Sequence, residues 1–266
     1  MRLVKLRPAA FICFIPVLLF ISVACQKKTA RATPTGMKTE TLYAAAGEGD
    51  IEQMQLILAT GAGLNARYTS QLKTPLHHAV EENQMAALEL LAAAGAQIDA
   101  KDRIGMTPLY YAATYDRMAM ANFLISRGAD VNAEAKYGSI ALHSAAAEGN
   151  TDMVALLIAR GADVMATNAL GDTPLHSAVE HEYIDIAKIL LSENVDINAK
   201  DHKTGATPLH YTAFNGDKQL MELLIAHGAA LDIEDDEGRT ALEVAEEKGH
   251  AQIVALLLEQ TKAFTN

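Results

Sequence analysis

Short apolar stretches alternate with polar breaks along most of this chain, and the alternation returns at a nearly constant step. Each period holds two apolar stretches of helical character, and the second ends in a leucine doublet such as Leu90-Leu91 or Leu156-Leu157. In a first stretch, Leu76 and Ala79 share one face of the predicted helix. The pattern therefore predicts a series of units, each made of a short helix, a turn and a longer helix.

A four-residue motif opens the first helix of most units. Thr74-Pro75-Leu76-His77 returns in five further versions at steps of 33, 33, 33, 34 and 33 residues. Thr caps a helix N-terminus through its side-chain oxygen, and Pro fits the first helical position because no N–H donor is needed there. The later copies begin at Thr107, Ile140, Thr173, Thr207 and Thr240.

Turn residues separate the predicted helices at fixed places in each period. A Gly two residues before the Thr position predicts a hairpin turn. The second helix ends at a Gly-Ala pair such as Gly95-Ala96, because Gly adopts the left-handed conformation without steric cost. The fifth copy has Asn194-Val195 instead, and Asn is the next-best residue for a left-handed helix end.

A fixed period of this size is typical of stacked repeat proteins, in which no unit buries its apolar face alone. Thr-Pro-Leu-His, Gly-x-Thr and a Gly-Ala pair followed by Asp130-Val131-Asn132 recur in register, and in these motifs the chain resembles the ankyrin-repeat family. The resemblance implies an all-α ankyrin-repeat solenoid of about seven helix-turn-helix units with short β-hairpin tips over residues 38–266. It also implies a protein-protein interaction module that is not an enzyme.

The copies depart from the shared motif at few positions. The first copy ends at Gly61-Ala62 and lacks the motif, as expected of an end unit that faces solvent. Tyr110 and Glu243 replace the motif His, Ile140 replaces the Thr, and one extra residue enters a hairpin near Lys203. We expect these changes to disturb single hairpins and to leave the fold intact.

The start of the chain differs in character from the repeats. Three cationic residues among the first seven precede an apolar run over residues 9–23, which is shorter than the roughly 20 residues of a membrane span. Small residues follow at the end of this run. We therefore expect a secretory signal peptide over residues 1–24.

Cys25 follows Ala24 directly and resembles the lipobox cysteine of bacterial lipoproteins, which is acylated and becomes the new N-terminus. Residues 25–37 would then be a lipid-anchored tether, and the protein would lie in the bacterial periplasm or at the cell surface. Gln26 in place of Asp favours the outer membrane. Ordinary cleavage after Ala24 and an uncleaved anchor remain alternatives.

Removal of the predicted signal peptide makes an acidic chain more acidic. The chain has 22 Lys and Arg against 33 Asp and Glu, and three of the cations lie in residues 1–24, so 19 remain and the net charge becomes −14. Such a surface repels phosphate backbones and anionic headgroups, which argues against nucleic-acid binding. We expect a monomer with a basic or mixed-charge protein partner and membrane contact only through the lipid anchor.

The sequence predicts no catalytic residue, metal site or cofactor. No Gly-rich phosphate loop or G-x-S-x-G elbow occurs, and both cysteines lie within the first 25 residues. Four of the nine histidines occupy the repeat motif, where we expect the ring to bond to Thr or to neighbouring backbone. These are His77, His143, His176 and His210.

Candidate contact residues differ between units and are apolar, aromatic or arginine where exposure is expected. Aromatic residues and Arg are the residues most often found as interface hot spots. We expect a partner to insert apolar side chains near Tyr111 and Tyr115 and to place basic residues against the nearby glutamates, although each Tyr could instead pack against a neighbouring helix. The candidates are Arg103, Ile104, Met106, Tyr111, Tyr115, Tyr137, Tyr211 and Phe214.

Two other roles remain open at the level of sequence. One is an accessory scaffold or protective partner of an envelope enzyme. The other is a surface-displayed binder of a host protein. Both use the same recognition surface and differ from the first interpretation only in the partner.

Overall fold

A computed structural model describes residues 35–264, with side chains described from residue 41 to residue 262. The described residues form fourteen helices, two for each predicted unit, which confirms the all-α repeat fold. The first helices are Thr35–Glu48 (α1), Pro75–Glu81 (α3), Pro108–Thr114 (α5), Ala141–Ala147 (α7), Pro174–Glu180 (α9), Pro208–Asn215 (α11) and Ala241–Lys248 (α13). The second helices are Ile51–Ala59 (α2), Met85–Ala93 (α4), Met118–Ser126 (α6), Thr151–Ala159 (α8), Ile184–Leu191 (α10), Lys218–Ala226 (α12) and Ala251–Phe264 (α14).

The helices pack in two layers. Each first helix contacts the first helices of the neighbouring units, and second helices contact second helices in the same way. The motif leucines, among them Leu76, Leu109 and Leu142, are buried between the layers together with small alanines that let the helices approach closely. The core is therefore one continuous band along the stack, as expected when no unit can bury its apolar face alone.

The predicted turns form, with one exception. Asn83, Asp116 and Glu182 adopt left-handed backbone angles after the first helix, with φ of 58°, 54° and 62°. Asn194 does not adopt the left-handed conformation, so the expectation for this residue is wrong. Helix α10 ends at Leu191, and the backbone N–H of Val195 bonds to the carbonyl of Glu193, so the fifth unit closes its second helix in a different way.

The hairpin tips are tied together along the stack by single backbone hydrogen bonds. Arg103 N donates to Gln71 O at 2.7 Å, and Lys136 N donates to Ile104 O at 2.6 Å. The same link recurs between the later units. It joins Ala169 N to Tyr137 O, His202 N to Leu170 O and Asp236 N to Thr204 O. In the described residues, β pairing is limited to two isolated antiparallel bridges, Tyr68–Lys73 and Glu234–Thr240.

The motif histidines bond to their own cap and to neighbouring backbone, as predicted, and three of them also reach the next unit. In His77, Nδ1 lies 2.8 Å from the Thr74 hydroxyl and Nε2 lies 3.0 Å from the carbonyl of Met106 in the following unit. His143 and His210 reach the following unit in the same way. His176 differs, because its buried Nε2 makes no hydrogen bond of standard geometry within the described part of the chain, although the Ala206 backbone in the next unit still acts on the ring. The hairpin of unit six, which the His176 ring faces, contains the extra residue near Lys203.

The predicted leader lies outside the described residues. Cys25 and the tether over residues 25–37 therefore stay predictions, apart from α1 beginning at Thr35, three residues before the expected domain start at 38. None of the helices within residues 35–264 combines the length and the hydrophobicity that a membrane crossing requires.

Candidate functional site

A trough runs across units two to five, between the hairpin tips and the C-terminal ends of the first helices. Its volume is ≈ 540 Å³. Ile104, Met106 and Tyr115 border it together with the carboxylate-bearing residues Glu148 and Glu180. With Glu81 of unit two, apolar and acidic side chains from four different units therefore face the same space.

A second groove, here called the tip cleft, opens between the hairpins of units three, four and five. Its volume is ≈ 450 Å³, and its lining is mainly apolar. Ile104, Met106, Tyr137 and Leu170 line it. Because Ile104, Met106 and Tyr110 border both spaces, the tip cleft continues the trough towards the hairpin ends.

Tyr115 is placed as the sequence predicts. It is the residue that ends helix α5, and its side chain is exposed. The Arg117 guanidinium carbon lies 6.0 Å from its ring centre, within the range of a cation–π contact. Its ring therefore offers an apolar face on the trough, which is typical of interface aromatic residues.

Tyr111 is not exposed, so the expectation of exposure for this residue is wrong. Only 6% of it is accessible, and its hydroxyl donates to Asp102 Oδ2 at 2.9 Å. The ring packs edge-on against His77, and Lys73 Nζ lies 4.7 Å above it. Burial, aided by the bond to Asp102, raises the pKa of Tyr111. These contacts give Tyr111 a structural role, and a part in partner binding stays a prediction.

Tyr211 repeats this arrangement three units later. Its hydroxyl donates to Asp201 Oδ2 at 3.0 Å, and its ring packs edge-on against His176. Burial by itself would raise the pKa of Asp201, but hydrogen bonds from Thr204 and Tyr211 outweigh it and hold this pKa low. Tyr211 is half-buried, so the pair is less enclosed than that of Tyr111.

The structure divides the predicted contact residues, Arg103 excepted, into two groups. Ile104, Met106, Tyr115 and Tyr137 lie at the trough and the tip cleft. Arg103 is exposed but borders neither space, and its Nη1 donates to the Ser70 carbonyl of the second hairpin at 3.2 Å. Phe214 and Tyr211 border a separate groove of ≈ 300 Å³ across units five to seven. Phe214 is exposed, and Lys248 Nζ lies 4.5 Å above its ring.

Carboxylates stand at the C-terminal ends of the first helices. We call this row the helix-end rim; its exposed members are Glu48, Glu82, Glu148, Glu180 and Glu247. A helix C-terminus carries partial negative charge, so a carboxylate there is unfavourable by about 0.3–1 kcal/mol. Among the described residues, Glu148 and Glu180 have no cationic partner within ion-pair distance. The fold therefore gains nothing from their charge.

One cluster near the rim has the composition of a metal site. Ligand atoms of His78, Glu81 and Glu82 lie within 4.8 Å of one another. Both carboxylate oxygens of Glu81 are already bound by Lys73 Nζ, at 2.8 and 2.9 Å. Nδ1 of His78 bonds to the Tyr43 carbonyl, and its ring stacks on Tyr43. The cluster therefore holds an ion pair within unit two and joins units one and two through the hydrogen bond and the stacked ring of His78.

The sequence reasoning missed several residues at these surfaces. Leu170 and Leu72 are exposed apolar residues at hairpin tips. Ile104, Tyr137 and Leu170 each come one residue before the hairpin Gly, so alignment of that one position across the repeats would have found the row. The Tyr111–Asp102 bond spans nine residues within one unit, and only the folded hairpin brings the two side chains together.

Comparison with known proteins gives a family for this architecture. The family model of ankyrin repeats matches three times, over residues 41–135, 133–201 and 200–266. Similar segments occur in potassium channel AKT1 of Oryza sativa subsp. indica, 41% identical over 24% of this chain and 7% of the channel. They also occur in the putative E3 ubiquitin-protein ligase XBAT34 of Arabidopsis thaliana, 44% identical over 19% of this chain and 13% of the ligase.

A further similar segment belongs to cyclin-dependent kinase inhibitor 2A of Monodelphis domestica, 40% identical over 23% of this chain and 36% of the inhibitor. The matched segment thus spans much less than two thirds of each of these three relatives. The similarity covers the repeats and does not extend to the remainder of those proteins.

Proposed function

Because this chain belongs to the ankyrin-repeat family, whose stacked repeats form protein–protein interaction modules, we propose that its trough binds a segment of one protein partner. The observation that carries the proposal is the convergence of exposed Tyr115 and Ile104 with unpaired Glu148 and Glu180 on one continuous groove. Exposed aromatic and aliphatic side chains next to uncompensated charge are typical of interfaces. No catalytic step is part of this function.

The partner is basic or of mixed charge, and the protein acts as a monomer. The net charge of the chain is −11, and the helix-end rim concentrates carboxylates beside the trough. Complementary charge raises the association rate and suppresses wrong partners, whereas a like-charged surface is repelled. Acidic proteins and nucleic acids are therefore poor candidates.

Site-specific crosslinking tests the proposed surface. A benzophenone amino acid at position 115, in the full chain expressed in its own cells, should yield a discrete crosslinked partner after illumination. The same amino acid at position 155, exposed on α8 in the outer layer, is the matched control. Equal crosslinking from positions 115 and 155, or none from 115, would remove the trough as the binding surface.

The proposed location is outside the bacterial cytoplasm, on a lipid anchor at Cys25. The support is the basic start, the short apolar run and the Cys that follows Ala24. Cells labelled with radioactive palmitate should incorporate it into the wild-type chain and not into Cys25→Ala. Label retained in the variant, or absent from both chains, would contradict acylation at this residue.

A further inference from the structure

The tip cleft is built on a row of apolar residues that the fold does not need. Ile104, Tyr137 and Leu170 occupy the same position in three consecutive hairpins and are 42%, 65% and 52% exposed. The next two hairpins carry Thr204 and Glu237 at that position. The apolar row therefore begins and ends within the stack, at the units that also form the trough.

The fourth hairpin departs from its neighbours in a way that affects Tyr137. In the third hairpin, Asp102 Oδ1 accepts the backbone N–H groups of Ile104 and Met106. Asn168 does the same in the fifth hairpin. The fourth hairpin has Ala135 at this place, which has no acceptor, and Tyr137 adopts a left-handed φ of 80°.

This conformation is unfavourable for a bulky side chain. A Tyr with positive φ is an outlier, and such strain concentrates at functional sites. The adjacent Lys136 Nζ lies 5.1 Å from the Tyr137 ring, so the ring is held at the tip beside a cation. Tyr137 thus occupies an exposed and strained position that a smaller polar residue would fill at lower cost.

Charge has opposite sign at the two ends of the combined groove. Lys136 lies exposed at the tip cleft and has no carboxylate within ion-pair distance among residues 41–262. Glu148 and Glu180 stand unpaired at the helix-end rim. Such an arrangement fits an occupant that carries both signs of charge, in a fixed order.

We propose that the groove takes one mixed-charge peptide segment of a partner, in a defined direction, an inference that rests on the proposed function. A bulky apolar side chain of the segment enters the tip cleft against Tyr137 and Leu170. An acidic residue beside it pairs with Lys136. Basic residues further along the segment meet Glu148 and Glu180, where the trough reaches the helix ends.

A random 12-residue peptide library displayed on phage, selected against the purified full chain, tests this proposal. Enriched peptides should carry an aromatic or aliphatic residue next to Asp or Glu, with Lys or Arg in the other half. On the variant Lys136→Glu, the residue beside the apolar anchor should change from acidic to basic. Lys188→Glu on the outer layer is the matched control and should leave the selected pattern unchanged.

A second measurement isolates the apolar anchor. Tyr137→Ser should weaken a peptide selected on the wild type by at least about tenfold, the loss expected when a hot-spot aromatic is removed. Unchanged affinity in Tyr137→Ser, or an unchanged charge pattern on Lys136→Glu, would overturn this inference while leaving the trough as a protein-binding surface. If no peptide enriches, both proposals fail.

Two other occupants would also overturn it and have distinct signatures. Co-sedimentation with vesicles containing phosphatidylglycerol, lost in Lys136→Glu, would identify a lipid surface. Dimerisation in analytical ultracentrifugation, lost in Tyr137→Ser, would identify a second copy of the chain. The proposal requires neither effect.

Discussion

At the scale of single residues, the Tyr–Asp pairs separate structural tyrosines from exposed ones. Tyr111 and Tyr211 each bind a buried Asp at the start of their own hairpin, whereas Tyr115 and Tyr137 expose their rings. A hydroxyl that satisfies a buried carboxylate contributes to stability, because the carboxylate has no water to replace it. The aromatic residues of this chain therefore fall into two classes with different expected effects on mutation.

Tyr111→Phe should lower the free energy of unfolding by about 1–3 kcal/mol, because it leaves Asp102 Oδ2 buried without its donor. Tyr137→Phe is the matched control, since its ring is mostly exposed. Urea denaturation followed by circular dichroism measures both. Equal midpoints for the two variants would contradict the structural assignment of Tyr111.

The motif histidines predict a pH dependence of stability. Burial lowers the pKa values of His77, His143, His176 and His210 below the usual value near 6.5. The unfolded chain therefore binds more protons than the folded chain below about pH 6.5. The stability contributed by these neutral rings is complete above that pH and is lost as the pH falls.

We expect the free energy of unfolding to decrease between pH 7.5 and pH 5.5. His176→Tyr introduces the residue that the third unit naturally carries as Tyr110. In this variant the dependence of the unfolding free energy on pH should be weaker, by at most the uptake of one proton on unfolding. Urea titrations at several pH values provide the comparison. A slope that is identical in the variant would show that His176 does not contribute.

At the scale of elements, the first helices end in carboxylates, which interact unfavourably with the negative end of the helix dipole. Glu148 stands at the C-terminal end of α7, and Asp152 lies in the first turn of α8. A carboxylate is unfavourable in the first position and favourable in the second. Two acidic residues only four apart in sequence therefore have opposite effects on the stability of their helices.

Glu148→Gln should raise the free energy of unfolding, and Asp152→Asn should lower it, each by about 0.3–1 kcal/mol at low salt. Glu148→Gln should at the same time weaken partner binding. Both stability effects should shrink at 0.5 M salt, which screens the charges. A stability loss in Glu148→Gln would contradict the view that this carboxylate serves binding rather than the fold.

At the scale of the whole molecule, stability comes from interfaces between neighbouring units. Backbone links between hairpins recur along the stack. His Nε2–carbonyl links follow His77, His143 and His210, and His176 is the one motif His whose Nε2 lacks a hydrogen bond of standard geometry. In a linear array, each junction adds its own term to the total. Among the four junctions that follow a motif His, the one after His176 thus has the weaker link.

His77→Ala should cost about 1 kcal/mol more than His176→Ala, which is the size of one hydrogen bond. Both rings make the same bonds to their own Thr, at 2.8 and 2.9 Å for the hydroxyl, so they differ chiefly in the link to the next unit. Equilibrium urea unfolding compares the two variants. Equal losses, or a larger loss in His176→Ala, would show that the junction after His176 is at least as well connected as the one after His77.

The repeat period, the helix pairs and the caps follow from the sequence alone, because they depend on local spacing. Thr and Pro at helix starts, left-handed residues at turns and leucines every 33 residues act within one unit or between identical neighbours. The same local logic identified Ile104, Tyr115 and Tyr137 as contact candidates. It gave the wrong conformation for Asn194, where helix α10 ends early.

Only the tertiary structure decided which candidates face solvent and which residues share a groove. Tyr111 and Tyr115 look alike in sequence, yet the Tyr111 hydroxyl bonds to the buried Asp102 and its ring lies in the core, whereas Tyr115 is exposed. Leu170 and Lys136 join Ile104 in the tip cleft because stacking brings equivalent positions of separate units side by side. Local sequence fixes the shape of each unit, whereas side-chain exposure depends on neighbours that lie about 33 residues away along the chain.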